Sequence, residues 1–321
     1  MQPPSAHREG REALVRRLDL RAHLAQRRGD AVDDGGVDLT TAPTLAADGA
    51  INCTTAYCNF DITGSGTLAM KPQSGTSLYT GVISGTGNFV KDGAGLLQIG
   101  GIADQTYTGT TRVMNGTLEI VSGRTLTWDT AMTVDSGATF KYNSAMSVGA
   151  PTHVGSLAGS GTVEATGTTY TNVILGVGQN NNSTTFDGVF KGTAASTLGP
   201  YISKYGTGTF IYDGTVSGNF AGFSLVLNGG TVQVGTGGTG GSLGNVANAS
   251  WYVPANSTLI INRNDALTLL NSFTGSGLIK LAGSVTVTSG GAATNFPNLE
   301  IGTSTTLALS GTDNIRTANW N

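Results

Sequence analysis

Few residues in this chain are equipped for chemistry. Its two cysteines, Cys53 and Cys58, have four residues between them. If Thr54-Thr55-Ala56-Tyr57 turns back, the pair can close a small disulfide loop. Loop-closure entropy predicts about 2 kcal/mol of stabilisation for so short a loop. Such a bond points to a compartment outside the cytosol; two free thiols are the alternative. No further Cys or His lies nearby to complete four ligands, so no metal is expected. The three histidines are His7, His23 and His153. None stands at a recognisable nucleophile motif, and no Gly-x-Ser-x-Gly elbow occurs.

Other motifs are equally bare. Gly235, Gly237 and Gly240 form the single Gly-x-Gly-x-x-Gly match. A dinucleotide site needs a helix next, with an acidic residue about 20 positions on. Here Gly/Thr low complexity runs into Ser242-Leu243-Gly244-Asn245, which predicts a loop and no cofactor. Arg28-Gly29-Asp30 spells an integrin-type tripeptide inside an expected linker. Sequons such as Asn115-Gly116-Thr117 and Asn182-Ser183-Thr184 follow from composition and matter only in a eukaryotic secretory setting. No catalytic residue is assigned.

The elements that would position these residues are short strands. From Asp61 onward, runs of three to six residues alternate apolar side chains with Thr, Ser or Lys. Examples are Thr111–Met114, Thr117–Ile120, Thr125–Trp128, Ala138–Tyr142, Thr231–Val234 and Ser257–Ile261. Period-two alternation sends one face inward and the other outward. Gly, Asn-Gly and Ser-Gly pairs punctuate the runs. The connections are too short for crossover helices, which excludes a doubly wound α/β sheet.

Spacing separates a sandwich from a solenoid. Gly-[Ser/Thr]-Gly recurs at Gly64, Gly85, Gly159, Gly206 and Gly275, with gaps of 21, 74, 47 and 69 residues. Taken as one, three, two and three turns, these give about 23 residues per turn. That period suits a right-handed, single-stranded parallel β-helix, an all-β solenoid with a continuous Val/Ile/Leu/Phe core.

Charge divides the chain. Residues 1–40 hold 14 of the 37 charged residues, seven of each sign, and the remaining 281 hold 23. Within the head, residues 9–28 have the periodicity of a helix. It could cover an open solenoid end, lie on a membrane surface, or belong to no fold; Asp30–Asp38 reads as a linker. Residues 41–321 are the expected solenoid. The net charge of −3 gives no reason to expect nucleic acid. Residues 1–30 contain no secretory apolar core, and no stretch is long enough to span a membrane as a helix.

Two stretches carry a resemblance. The first, YTGVISGTGNFVKDGAGLLQIGGIADQTYTGTTRVMNGTLEIVSG, spans residues 79–123. The second is looser and falls within residues 184–235: TTFDGVFKG, ISKYGTGTFIYDG and LVLNGGTVQVG. Both resemble the passenger-associated repeat of bacterial autotransporters, and Gly155–Val163 resembles its usual lead-in. The resemblance implies a secreted or outer-membrane-associated cell-surface passenger, with adhesive contacts to host-surface or matrix glycans or proteins, or with itself. Any outer-membrane barrel would have to be supplied elsewhere. Apart from the family, Lys91 and Lys204 match in position and are expected on the outer face. Tyr107 and Phe186 are expected to plug core corners.

The expectation is a non-enzymatic structural or adhesive solenoid. A spacer stalk for a partner domain is one alternative. The other is a carbohydrate-active β-helix enzyme, which needs clustered carboxylates; the body's 13 acidic residues are scattered.

Overall fold

In the computed structural model, the described residues lie between 59 and 320, apart from 63, 101–102, 122–124, 143–151, 167–172, 193–199, 219–223, 243–249, 270–271, 290–294, 297, 309–313 and 316–317. Upstream, the strands Val32–Asp33, Gly36–Asp38 and Thr44–Leu45 are also described. The first two lie inside the stretch read as a linker and pair antiparallel with each other. The helix expected over residues 9–28 and the Cys53/Cys58 pair fall outside the described residues.

The chain forms a parallel β-solenoid. Short strands recur on three faces, and within each sheet, that antiparallel pair aside, they pair in parallel with their equivalents in neighbouring coils. Face two is one continuous 13-stranded sheet. Face one is formed in succession by sheets of four, six and two strands, and face three by sheets of seven and three. One coil illustrates the order: Thr152–Val154 on face one, Ser156–Gly159 on face two, Thr162–Ala165 on face three.

The period inferred from glycine spacing holds. Met70, Lys91, Val113, Val134, Gly159, Phe186, Tyr212, Val234, Ile261, Leu281, Ile301 and Trp320 form one register column on face two. The eleven steps cover 250 residues, about 23 per coil. Single steps run from 19 (Ile301 to Trp320) to 27 (Gly159 to Phe186). Long intervals between strands include those that join face three to face one, as between Tyr142 and Thr152 or Gly192 and Pro200, and the one from Val234 to Ser250. Coil length therefore varies between the strands while the face-two ladder stays regular.

Alternation explains the core. In Asn88–Lys91, Leu96–Ile99, Thr117–Ile120 and Thr139–Tyr142 every second residue is buried. These inward residues form a single continuous apolar cluster. Large and small side chains compensate along the columns: Tyr142 sits in register with Ala165 and then Gly192, and Gly159 with Phe186. Such matching lets a large side chain occupy the space that a small one in the next coil leaves. Tyr107 and Phe186 are fully buried, as expected. Phe186, Phe190 and Tyr212 form an aromatic group with centroid separations of 4.9–6.4 Å.

Two readings need correction. Thr125–Trp128, read as an alternating strand, is not a strand: Trp128-Asp129 forms a turn. Continued alternation would bury Trp128 with Leu126, but the turn reverses its direction. Lys91 and Lys204, expected on the outer face, are fully buried. Lys91 is an inward residue ending its strand, and its Nζ donates to the carbonyls of Asp92 (3.1 Å), Gly93 (2.9 Å) and Asn115 (2.8 Å). Lys204 Nζ donates to Tyr205 O and to Gly206 O at 3.2 Å. The shared Lys-x-Gly-x-Gly motif is therefore a corner cap, in which the ammonium closes on the carbonyls of the next two residues. It acts at different corners, leading from face two to face three at Lys91 and from face one to face two at Lys204. Burial lowers the pKa of each ammonium to about 8, opposed at Lys91 by the nearby Asp92 charge.

Charged residues on the outside stitch coils together. On face three, Gln98, Glu119, Lys141, Glu164 and Lys191 form one register column. Gln98 Nε2 donates to Glu119 at 2.8 Å, and Glu164 lies between Lys141 (3.6 Å) and Lys191 (3.4 Å).

The corners generate two predictions. Gly159 has φ of +103°, and a Cβ there would stand 2.2 Å from the Val134 carbonyl oxygen one coil below. Gly159→Ala should lower the urea unfolding free energy by more than about 1 kcal/mol. Gly238→Ala, in open space without positive φ, should change it by less than about 0.5 kcal/mol. Lys91→Met would orphan three carbonyls and should cost about 1–3 kcal/mol in the same assay. Loss of the exposed partner in Lys191→Met should cost at most about 1 kcal/mol.

Candidate functional site

The outer surface of face one differs from the rest. Among the described residues, the exposed large apolar side chains are Trp128 (55%) and Tyr252 (44%), and both lie on this face. Its outward register column runs His153, Gly176, Ser203, Val226, Tyr252, Thr274. No other large apolar side chain among the described residues is as exposed, so aromatic rings at this surface require an explanation.

The cluster assembles around His153. The Trp128-Asp129 turn brings the indole over the histidine of the following coil, with ring centroids 3.9 Å apart and planes at 22°. From the other side Tyr205 meets the same imidazole at 5.6 Å and 52°. His153 and Tyr205 can touch across a coil because Gly176 lies between them. A Cβ on Gly176 would fall 2.5 Å from His153 Nδ1 and 3.2 Å from Tyr205 Cε2. Gln179 completes the setting, its side-chain amide within hydrogen-bond distance of His153 Nδ1. Asn180 Nδ2 donates to Ser156 Oγ at 3.1 Å and to Asp129 O at 3.4 Å, tying the Trp128 turn to coils further along. Asp129 itself is exposed beside the indole.

His153 is 2% exposed. Burial lowers its pKa to about 4, because charging the ring would cost solvation that its neighbours do not replace. It is a neutral structural ring at physiological pH, holding Trp128 in place, and no nucleophile stands against it.

The other expected positions divide plainly. His7, His23, Cys53, Cys58 and Arg28-Gly29-Asp30 lie outside the described residues. Gly235–Gly240 is a hydrogen-bonded loop: Gly235 N donates to Tyr212 O and Gly237 N to Asn262 O, and Arg263 donates to the carbonyls of Gly240 and Gly241. In the first sequon, Asn115 Nδ2 donates to Asp92 at 2.7 Å. In the second, Asn182 is exposed. Trp128 was missed as a surface group because its local pattern reads as an inward strand position. The Trp-Asp pair before Thr130 was the available signal for a turn.

Several carboxylates hold the coils together or brace corners. Lys71, Asn115 and the Gly93 amide hold the Asp92 carboxyl well below the usual range. Asp265, held likewise by Arg263, is also lowered. Asp135 pairs with Arg112 at 2.8 Å and Glu300 with Lys280 at 2.6 Å. Thr236 donates to Asp213 and Ser84 to Asp61. These partners are cations, hydroxyls or amides, mostly one coil away, and no group of three or more metal-ligating side chains occurs among the described residues.

No family model matches the chain. A stretch of 98 residues, 30% of the chain, is 36% identical to the "Adhesin BmaC autotransporter" of Brucella suis biovar 1 (strain 1330). The match covers 2% of that protein, so the chain corresponds to a small fraction of its curated relative. No helix among the described residues is long and apolar enough to cross a membrane.

The buried histidine sets a pH dependence. Above pH 6.5 the ring is neutral in both folded and unfolded chains. As pH falls from about 6.5 to about 4, the unfolded chain takes up a proton that the folded chain refuses, so stability declines across that window. Trp128→Ala uncovers the ring and should raise its pKa toward 6.5, as read by NMR titration of the His153 imidazole.

Proposed function

We propose that this chain is a non-enzymatic adhesive segment of a surface-displayed passenger. The observation that carries the reading is a parallel solenoid with its apolar residues inside and several of its carboxylates paired with cations, combined with the adhesin match. Stacked coils offer a long, repetitive outer surface, so binding would be distributed over many weak contacts. The partner classes are host-surface or matrix glycans or proteins. The inter-coil stitching suits a rod that must persist outside the cell.

The reading favours adhesion over catalysis because acid/base cleavage of a polysaccharide needs two carboxylates facing one substrate bond. Here Asp92, Asp135, Asp265 and Glu300 each face a cation. Purified chain immobilised on beads should promote attachment to host-cell monolayers or matrix-coated surfaces above a β-solenoid control, without releasing reducing ends from plant, bacterial or animal polysaccharides. Turnover of any of these polymers, abolished by a single Asp or Glu substitution, would overturn the proposal.

A further inference from the structure

The geometry points to a carbohydrate-stacking site on face one, centred on Trp128 and selective for a neutral pyranose. This rests on the adhesive reading above and gives it a residue-level contact.

Trp128 is built as a platform. One face of the indole is covered by His153 at 3.9 Å, and 55% of the residue remains open to solvent. An exposed Trp ordinarily pays in rotamer entropy when it is immobilised on binding. Here the imidazole, itself wedged by Tyr205 and Gln179, holds the ring before any ligand arrives. The indole's open face carries the negative lobe of its quadrupole. It therefore suits the weakly positive C–H groups that line one face of a pyranose ring.

The surroundings select the occupant. Asp129, exposed next to the indole, offers carboxylate acceptors to sugar hydroxyls. Asn180 lies alongside, anchored to Ser156 and the Asp129 carbonyl. A carboxylate at the rim repels sialic and uronic acids and leaves neutral sugars. A protein partner fits less well. Stable protein interfaces need roughly 800 Å² on each side, with a contiguous apolar centre. The next exposed ring, Tyr252, is four coil steps from His153 along the same column, roughly 19 Å at about 4.8 Å per step. Isolated rings this far apart on a polar surface suit separate contacts to single sugar units better than one protein hot spot.

The test uses the full chain and defined probes: cellotetraose, chitotetraose and lacto-N-tetraose as neutral oligosaccharides, and 3′-sialyllactose as the anionic counterpart. Calorimetry or saturation-transfer NMR should detect weak binding of at least one neutral probe, with upfield ring-current shifts confined to one face of one sugar unit. Trp128→Ala should weaken that binding by at least about tenfold, while Trp128→Phe keeps most of it. Asp129→Asn should narrow the preference for neutral over sialylated probes. If Trp128→Ala does not fold, the ring-current shifts in the wild-type chain decide the matter alone. The site is overturned if none of the neutral probes binds, if no sugar proton shows a ring-current shift, or if binding survives Trp128→Ala within about threefold. Unchanged attachment of the Trp128→Ala protein to cells would remove this site from adhesion and leave the adhesive reading standing. Failure of the wild-type chain to attach anywhere would remove that reading itself.

Discussion

Backbone hydrogen bonding between successive coils is the constraint on which the rest of this molecule depends. Strands stack in parallel at about 4.8 Å, so every residue lies directly above and below an equivalent one. Inward residues must fit the column, because a side chain that is too large displaces its neighbours in both directions. Outward residues must tolerate their stacked neighbours, because like charges in adjacent coils repel. The column Glu119, Lys141, Glu164, Lys191 satisfies this by alternating sign. The pair Tyr142 and Ala165 satisfies the inward rule by alternating size.

Corners are where stacking is hardest, and they use two devices. Glycines at positive φ let one corner lie on the carbonyls of the corner below, as at Gly159 over Val134. Buried cations gather the carbonyls that leave the ladder as the chain turns. Lys204 does this locally, Lys91 does it both locally and at Asn115 in the next coil, and Arg263 does it across coils by reaching Gly240 and Gly241 while Asp265 neutralises it. An inward lysine at a strand end would be costly if its ammonium met only apolar groups. The Lys-x-Gly-x-Gly sequence supplies two carbonyls within reach, which is why the motif can be carried from one corner of the triangle to another.

The same repetition accounts for where surface chemistry is concentrated. Regular strands place Thr, Ser and charged residues outward and leave little room for a distinctive group. Trp128 escapes because a turn replaces the strand on face one in its coil, and His153 and Gly176 in the following coils provide the bed on which the indole rests. A local lapse in regularity thus creates the most chemically distinct surface among the described residues.

Much of the architecture was legible in the amino-acid sequence. Period-two alternation depends on the pleat alone, and it located Thr117–Ile120 correctly and Ser257–Ile261 within the strand Ser257–Asn262. Glycine spacing reported the coil length, because a left-handed corner residue recurs once per turn; all five marker glycines have positive φ. Yet Gly159 sits at a different corner from the other four, which spacing could not reveal. The direction of Lys91 and Lys204 was also hidden, since a lysine in an alternating strand reads as solvated unless the carbonyls that receive it are known. The Trp128 cluster is wholly tertiary. Its members come from separate coils, joined by stacking across Gly176, and no local pattern links Trp128, His153 and Tyr205. Sequence determined what repeats, because repetition is written in local spacing. Tertiary structure decided which residues meet across coils, because that depends on how many residues each turn takes to return.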